Sequence, residues 1–174
     1  MKDFSHPCGD AFYAYDLNKA IESALTVSRN EWKYAADVTT ELDPNLPPIT
    51  CLPGDINQVL LNLIVNAAHA IVEKNGETSC RKGRIGITTR FDDPWAEIRI
   101  SDDGAGIPES IRSRVFDPFF TTKEVGRGTG QGLAIVHSVI AEKHRGTITF
   151  ESHVGRGTTF IVRLPVHREP LGGV

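Results

Sequence analysis

Residues 54 to 73 carry the longest helical pattern in the chain, and they constrain the fold more than any other stretch. The segment "INQVLLNLIVNAAHA" is an apolar rod with one polar line down it. Asp55, Gln58, Asn62, Asn66, His69 and Glu73 recur at spacings of three, four, four, three and four, which puts them on one face of a helix. Such a rod has to be covered by other elements on most sides and left open along one. Gly76 follows the pattern and supplies its stop.

The cover is legible on both sides of the rod. "DLNKAIESALTVSR", residues 16 to 29, opens on a capping aspartate and has Leu17, Ala20, Ile21, Ala24, Leu25 and Ser28 at amphipathic spacing, which predicts a helix. "YAADVTTELDPNLPPIT" predicts a strand, a Pro-rich turn and a second short strand near Ile49. "RIGITTRF" and "WAEIRISDDG", joined by "DDP", read as an antiparallel hairpin. A Gly-rich stretch runs from about Gly104 to Gly132, then a helix, "GLAIVHSVIAEKH", and a second hairpin through "HVGRG". The expected fold class is α+β: a two-layer sandwich with a mixed, mostly antiparallel sheet and helices on one face. At 174 residues this is one domain with a proper core.

Bulk properties narrow the function. A net charge of -3 advertises neither nucleic acid nor an anionic membrane surface as partner. Apolar runs such as "VLLNLIV" fall short of the roughly 18 residues a membrane helix needs, and "MKDFSHPCGD" lacks the apolar stretch of a signal peptide. Cys8, Cys51 and Cys80 share no C-x-x-C spacing, so neither a disulfide framework nor a zinc site is implied, and the expected state is reduced and cytoplasmic.

Three places carry candidate chemistry. On the rod, a solvent-facing stripe is the plain alternative, but Lys, Glu or Arg fill such a stripe cheaply, whereas Asn costs up to about 0.7 kcal/mol relative to Ala in a helix interior. Asn62 and Asn66, one turn apart, present amide oxygens of the kind that suits Mg²⁺. In "IRISDDGAGIP", strand parity sets Asp102 on the inward face with Ile98 and Ile100 and turns Asp103 outward. A partly buried carboxylate needs hydrogen-bond donors, so a ligand N–H is one reading and an Asx-type turn with Gly104 and Gly106 is the other. In "GRGTGQGLAIVHSVI", glycines alternate into the start of a helix near Gly130, an arrangement that suits phosphate oxygens. It matches neither G-x-G-x-x-G nor the P-loop pattern. Ahead of it "FDPFFTTKEVGR" sets Phe116, Phe119 and Phe120 beside Lys123 and Arg127, either as core aromatics or as the apolar anchor of a hinged lid.

Taken in order, "INQVLLNLIVNAAHA", "DDGAGIP", "FDPFFTT", "GTGQGLAIVHSVI" and "GRGTTFIVRLP" resemble the N box, first glycine box, F box and second and third glycine boxes of the sensor histidine kinase catalytic and ATP-binding domain. The likeness covers roughly residues 16 to 165. It implies the Bergerat ATP-binding fold with a flexible ATP lid, shared with the gyrase B subunit, a heat-shock chaperone family and mismatch-repair ATPases. By this resemblance Asn66 is the main Mg²⁺ ligand, Asn62 lies near metal and phosphates, and His69 stands where relatives often place a phosphate-touching basic residue, a core histidine being the alternative. Asp102 accepts from the adenine amino group, Gly104 and Gly106 line the base pocket, and Thr158 and Thr159, on the closing strand, complete the base end. Ile107, Phe116, Lys123, Thr129 and Leu133 surround the nucleotide, and Gly128, Gly130 and Gly132 lie against the triphosphate.

Two departures from the family pattern matter. Asp103 stands where the family usually has Asn. Asn62 stands where gyrase-like hydrolases place the glutamate that activates water, and an amide cannot accept a proton at neutral pH, which disfavours fast hydrolysis. The implied activity is phosphoryl transfer from Mg-ATP to a histidine on a separate dimerisation domain of a homodimeric parent kinase, with a response-regulator receiver domain as the next partner. His6 is followed at once by Pro7, unlike a family acceptor histidine. The expected organisation is therefore residues 1–15 as the end of an upstream dimerisation region, 16–166 as the catalytic domain and 167–174 as a frayed tail, in a fragment that does not phosphorylate itself. A non-catalytic ATP-binding module, a Bergerat-fold ATPase and a serine kinase of the anti-sigma type are the alternatives.

Overall fold

The computed structural model describes residues 11–76, 80–118 and 132–167. Its elements run β1 (Tyr13–Tyr15), α1 (Leu17–Val27), α2 (Arg29–Trp32), β2 (Ala36–Glu41), β3 (Ile49–Cys51), α3 (Pro53–Asn75), β4 (Gly83–Asp92), β5 (Trp95–Asp102), a 3-10 turn (Glu109–Arg114), α4 (Gly132–His137), a π-helical continuation (Ser138–Lys143), β6 (Thr147–His153) and β7 (Gly157–Pro165). Five strands form one sheet in the order β2-β4-β5-β7-β6. The β2–β4 pair is parallel and the others antiparallel. The two hairpins expected from the sequence are β4–β5 and β6–β7.

The rod of the sequence is α3. It buries Ile56, Val59, Leu60, Leu63, Ile64, Ala67, Ala68 and Ile71 against the sheet, where Ile85, Ile87, Ile98, Ile100, Phe160 and Val162 meet it. Each large aliphatic side chain buried this way contributes roughly 1.5–3 kcal/mol before chain entropy is set against it. Among the described residues α3 alone has the length and hydropathy of a membrane span, more than its short apolar runs suggested. Its apolar side is the centre of the core, so its composition is explained without a bilayer. Gly76 ends it at φ 90°, a conformation glycine adopts without strain, and donates its N–H to the Val72 carbonyl.

Asp16 caps α1 as expected, its carboxylate accepting from the Lys19 amide at 3.1 Å. The start of α3 has no side-chain cap of its own. It is held from a distance instead: the Leu52 N–H donates to His144 Nε2 at 3.0 Å, and Lys143 pairs with Asp55 at 3.2 Å. His144 is buried, and its Nδ1 lies 2.8 Å from the Val139 carbonyl. An imidazole that accepts at Nε2 carries its proton at Nδ1 and is neutral.

Three local features depart from the sequence reading. Tyr13–Tyr15 pair with β3, and Tyr15 donates its hydroxyl to Asn57 of α3 at 2.7 Å, so the packed body takes in residues that the sequence reading set upstream of position 16. The helix after the Gly-rich stretch is not uniform. From Ser138 it widens to i→i+5 bonding, with the His144 N–H reaching the Val139 carbonyl. A 3-10 turn, Glu109–Arg114, occupies ground read only as Gly-rich. Most of the stretch expected to form the ATP lid, residues 119–131, lies outside the described residues, as do the ten N-terminal residues and the tail from 168.

Candidate ATP-binding site

The polar stripe of α3 stays out of the core: Asp55, Asn62, Asn66 and His69 are half-buried, and Gln58 and Glu73 exposed. Asn62 is engaged at both ends of its amide. Its Oδ1 accepts from Gln58 Nε2 at 2.9 Å, and its Nδ2 donates to the carbonyl of Gly132, the first residue of α4, at 3.3 Å. Asn66, one turn on, makes no side-chain hydrogen bond to the described residues, which leaves its oxygen available to a cation. His69 is half-buried one turn beyond Asn66.

Asp102 ends β5 on the inward face, 9% exposed, in line with Ile98 and Ile100. The Gly104 N–H donates to its Oδ1 at 2.8 Å. Burial pushes its carboxyl up to about 6; the amides of Gly104 and Thr158 work against that rise, and the neighbouring Asp103 adds to it. Asp103 does turn away from Asp102, but not into solvent. Its Oδ1 accepts from the Arg84 amide at 2.8 Å and so fastens the β5 end to the start of β4.

The glycines around Asp102 are required by the chain itself. A Cβ on Gly104 would stand 2.5 Å from the Ala70 carbonyl carbon of α3, and the Ala105 N–H donates to the Ala70 carbonyl at 3.1 Å. Gly106 has φ 80° and presses on the His153 carbonyl. Gly157, at φ 121°, sits directly on the Asp102 carbonyl and leaves no room for a Cβ. These contacts set the Asp102 loop against α3 at Ala70, one residue from His69. Eight residues of helix separate Ala70 from Asn62, a rise of about 12 Å. The Asp102 loop at Ala70, then Asn66, then Asn62 and the start of α4 thus follow one another along α3, and this line is the candidate trough.

Other residues singled out in the sequence divide between this trough and the core. Thr158 is buried opposite Asp102 in the β5–β7 ladder, and Thr159 lies one residue on, its hydroxyl 2.9 Å from that of Ser101. Ile107, Phe116 and Leu133 are half-buried against the core cluster. The Phe116 ring lies tilted at 5.4 Å from the His137 ring and 6.0 Å from that of Phe150, both half-buried at the margin of the core. Lys123, Gly128, Thr129 and Gly130, with Phe119, Phe120 and Arg127, lie outside the described residues. Sequence reasoning missed Arg112 and Ser152. Ser152 could have been found, because the hairpin register sets it opposite Thr158. Arg112, a cation in a short turn, gave no periodic signal.

Comparison with known proteins identifies the family and the fold. The family described as histidine kinase-, DNA gyrase B- and HSP90-like ATPase matches residues 52–168. The signal transduction histidine-protein kinase AtoS of Escherichia coli K12 is 36% identical over 96% of this chain and 26% of its own length. The sensor histidine kinase ZraS of the same organism is 36% identical over 93% of this chain and 33% of its own. The chain thus spans about a quarter to a third of these curated relatives. Among solved structures, the catalytic domain of histidine kinase ThkA superposes with TM-score 0.76 at 30% identity, covering 91% of this chain and 100% of that one. ThkA in complex with the response regulator TrrA gives TM-score 0.70 at 28% identity, covering 89% of this chain and 42% of that one. On sequence and fold, the chain belongs to the histidine kinase-, gyrase B- and HSP90-like ATPase family, as a sensor histidine kinase ATP-binding catalytic domain.

Proposed function

We propose that this chain binds Mg-ATP in the α3 trough and passes the γ-phosphoryl group to a histidine on the dimerisation domain of a cytoplasmic parent kinase region, for relay to a response-regulator receiver domain. The observation that carries the reading is the buried Asp102, braced by glycines against the helix that bears Asn62 and Asn66. A carboxylate held there accepts a hydrogen bond from the 6-amino group of adenine and is repelled by the 6-carbonyl of guanine, which selects adenine over guanine.

Among the described residues no group of three or more His, Cys, Asp or Glu could hold a metal. A cation here would rest on the amide oxygens of Asn66 and Asn62 and on the nucleotide's own phosphates. That donor set fits Mg²⁺, which keeps waters and takes few protein oxygens. When bound, the ion neutralises phosphate charge during transfer. For Asn62 to join, its Oδ1 would offer the lone pair that Gln58 does not use, or exchange the Gln58 donor for the ion.

In the transfer, an imidazole nitrogen of the acceptor attacks the γ-phosphorus in line, the bond to the bridging oxygen breaks, and ADP leaves. A neutral imidazole is already a good nucleophile, so alignment and charge neutralisation carry much of the work. A hydrolase reading lacks support at position 62, where no carboxylate is available to activate water.

Calorimetric titration with a non-hydrolysable ATP analogue, with and without Mg²⁺ and with the GTP analogue as control, tests the site. Adenine-selective, metal-assisted binding is expected, and absence of binding refutes it. Label from ATP is expected to reach an added histidine-bearing dimerisation domain and not the chain alone; acid-labile phosphate on the isolated chain would contradict the latter.

A further inference from the structure

Arg112 and Ser152 lie beside the Asp102 end, where the loop 103–107 meets the tip of the β6–β7 hairpin. Ser152 is buried on β6, and three hydrogen bonds meet at its hydroxyl. The Ile107 N–H donates to Ser152 Oγ at 2.8 Å, the Thr158 hydroxyl lies 2.8 Å away, and the Gly157 carbonyl 3.2 Å away. A serine hydroxyl has one proton and two lone pairs. With the proton on Gly157, the lone pairs take Ile107 N–H and the Thr158 hydroxyl, and every group is satisfied. Arg112 then staples the same two segments from outside. Its Nε donates to the Ile107 carbonyl at 3.0 Å and its Nη2 to the Ser152 carbonyl at 2.8 Å. The Gly155 N–H adds a backbone bond to the Ala105 carbonyl at 2.8 Å.

These bonds join the loop 103–107 to the tip of the β6–β7 hairpin. Both segments end on Asp102: the loop through the Gly104 amide on its carboxylate, the hairpin through Gly157 against its carbonyl and Thr158 opposite it in the ladder. We propose that Arg112 and Ser152 are positioning residues for base selection, holding the loop and hairpin at the separation at which Asp102 meets the amino group of the base. The inference rests on the ATP-binding reading above. Arg112 does not touch Asp102. Its guanidinium acts through two carbonyls, one on each segment, and the fixed spacing of its Nε and Nη2 donors suits that pair better than an ammonium on a flexible stem.

The test is calorimetry on the whole chain with the Mg²⁺ complexes of non-hydrolysable ATP and GTP analogues, for the wild type and for Arg112→Ala, Arg112→Lys, Ser152→Ala and Ser152→Thr. Arg112→Ala is expected to bind the ATP analogue about tenfold more weakly, equivalent to about 1.4 kcal/mol, and to lose most of its preference over the GTP analogue. Arg112→Lys is expected to fall between it and the wild type. Ser152→Ala is expected to narrow the same preference, and Ser152→Thr, which keeps the hydroxyl, to restore it. A general loss of fold lowers all affinities with the melting temperature and does not alter the ratio between bases. A wild type that selects adenine, together with alanine variants that keep both affinity and selectivity within twofold, overturns the positioning role alone. A wild type that binds neither analogue overturns the ATP reading and this inference with it. Should Arg112→Ala fail to fold, the Ser152 pair decides.

Discussion

Titrating Asp102 separates its two effects, because the charge that serves a ligand opposes the empty fold. Its carboxyl is raised from 3.8 to about 6, chiefly by burial, a shift equivalent to about 3 kcal/mol. A folded value above the unfolded one means that the native state holds its proton more tightly. The neutral form's advantage is complete below 3.8 and is lost as pH rises through about 6, so at neutral pH the ionised group destabilises the ligand-free domain. Binding has the opposite sign, since acceptance from a base amino group favours the ionised carboxylate. With a value of about 6, the ionised fraction falls about tenfold between pH 7 and pH 5, and the affinity for an ATP analogue should fall about tenfold with it. Asp102→Asn is the comparator, because phosphate groups also titrate in this range and their contribution survives in the variant. At pH 7.5 the variant should bind about 1.5–3 kcal/mol more weakly, the range for a hydrogen bond to a charged group. It should also melt higher than the wild type, by less than the full burial penalty because its Nδ2 faces the Thr158 amide. Calorimetry from pH 5 to 8 and thermal melts of both proteins check this. Parallel pH profiles for wild type and variant would refute the assignment of the titrating acceptor to Asp102.

Further outcomes follow from single contacts. Gly157→Ala sets a Cβ on the Asp102 carbonyl at a φ of 121°, and should destabilise by about 3 kcal/mol or more in urea titration, well beyond an ordinary surface substitution. His144→Ala strips the Leu52 amide of its acceptor in a buried setting, and should lose about 1–3 kcal/mol in the same assay, with earlier exchange of the amide protons at the start of α3. Asn66→Ala should abolish the Mg²⁺-dependent gain in ATP-analogue affinity while leaving metal-free affinity within about twofold, read by paired titrations with and without the ion. An unchanged Mg²⁺ response would move the metal to other oxygens.

The layer structure was legible because it rests on periodicity. The stripe of α3, the alternation of β4 and β5 and the capping Asp16 each declare a burial pattern that the fold then satisfies. Strand parity was strong enough to bury Asp102 and turn Asp103 away from it without any structural knowledge. Parity says nothing about what receives the side chain it turns outward, so the bond from the Arg84 amide to Asp103 was invisible. The short strand Tyr13–Tyr15 was missed for a related reason: three residues carry too little alternation to stand out, and only β3, far along the chain, makes a strand of them. The π-helical stretch after His137 depends on where His144 has to sit to reach Leu52, and helical spacing alone cannot distinguish it from α.

The two ends of the trough are built differently, and the difference predicts how a nucleotide is received. At the base end the contacts are internal and in place without a ligand. Gly104 lies against Ala70, Gly157 against Asp102, and Ser152 joins loop to hairpin, so the position of the Asp102 carboxylate is fixed before anything binds. Preorganisation of this kind lowers the ordering cost of binding at that end. At the metal end Asn62 Oδ1 accepts from Gln58 and its Nδ2 is tied to the Gly132 carbonyl, so a cation at that oxygen competes with the Gln58 donor. Base contacts should therefore dominate recognition of the diphosphate and the triphosphate alike, while the cation is accommodated by rearrangement around Asn62. Gln58→Ala frees that oxygen in advance. It should strengthen the Mg²⁺-dependent component of triphosphate binding by about two- to fivefold, a few tenths to about 1 kcal/mol, and leave the preference between adenine and guanine unchanged. A change in base preference would show instead that the two ends are coupled through α3.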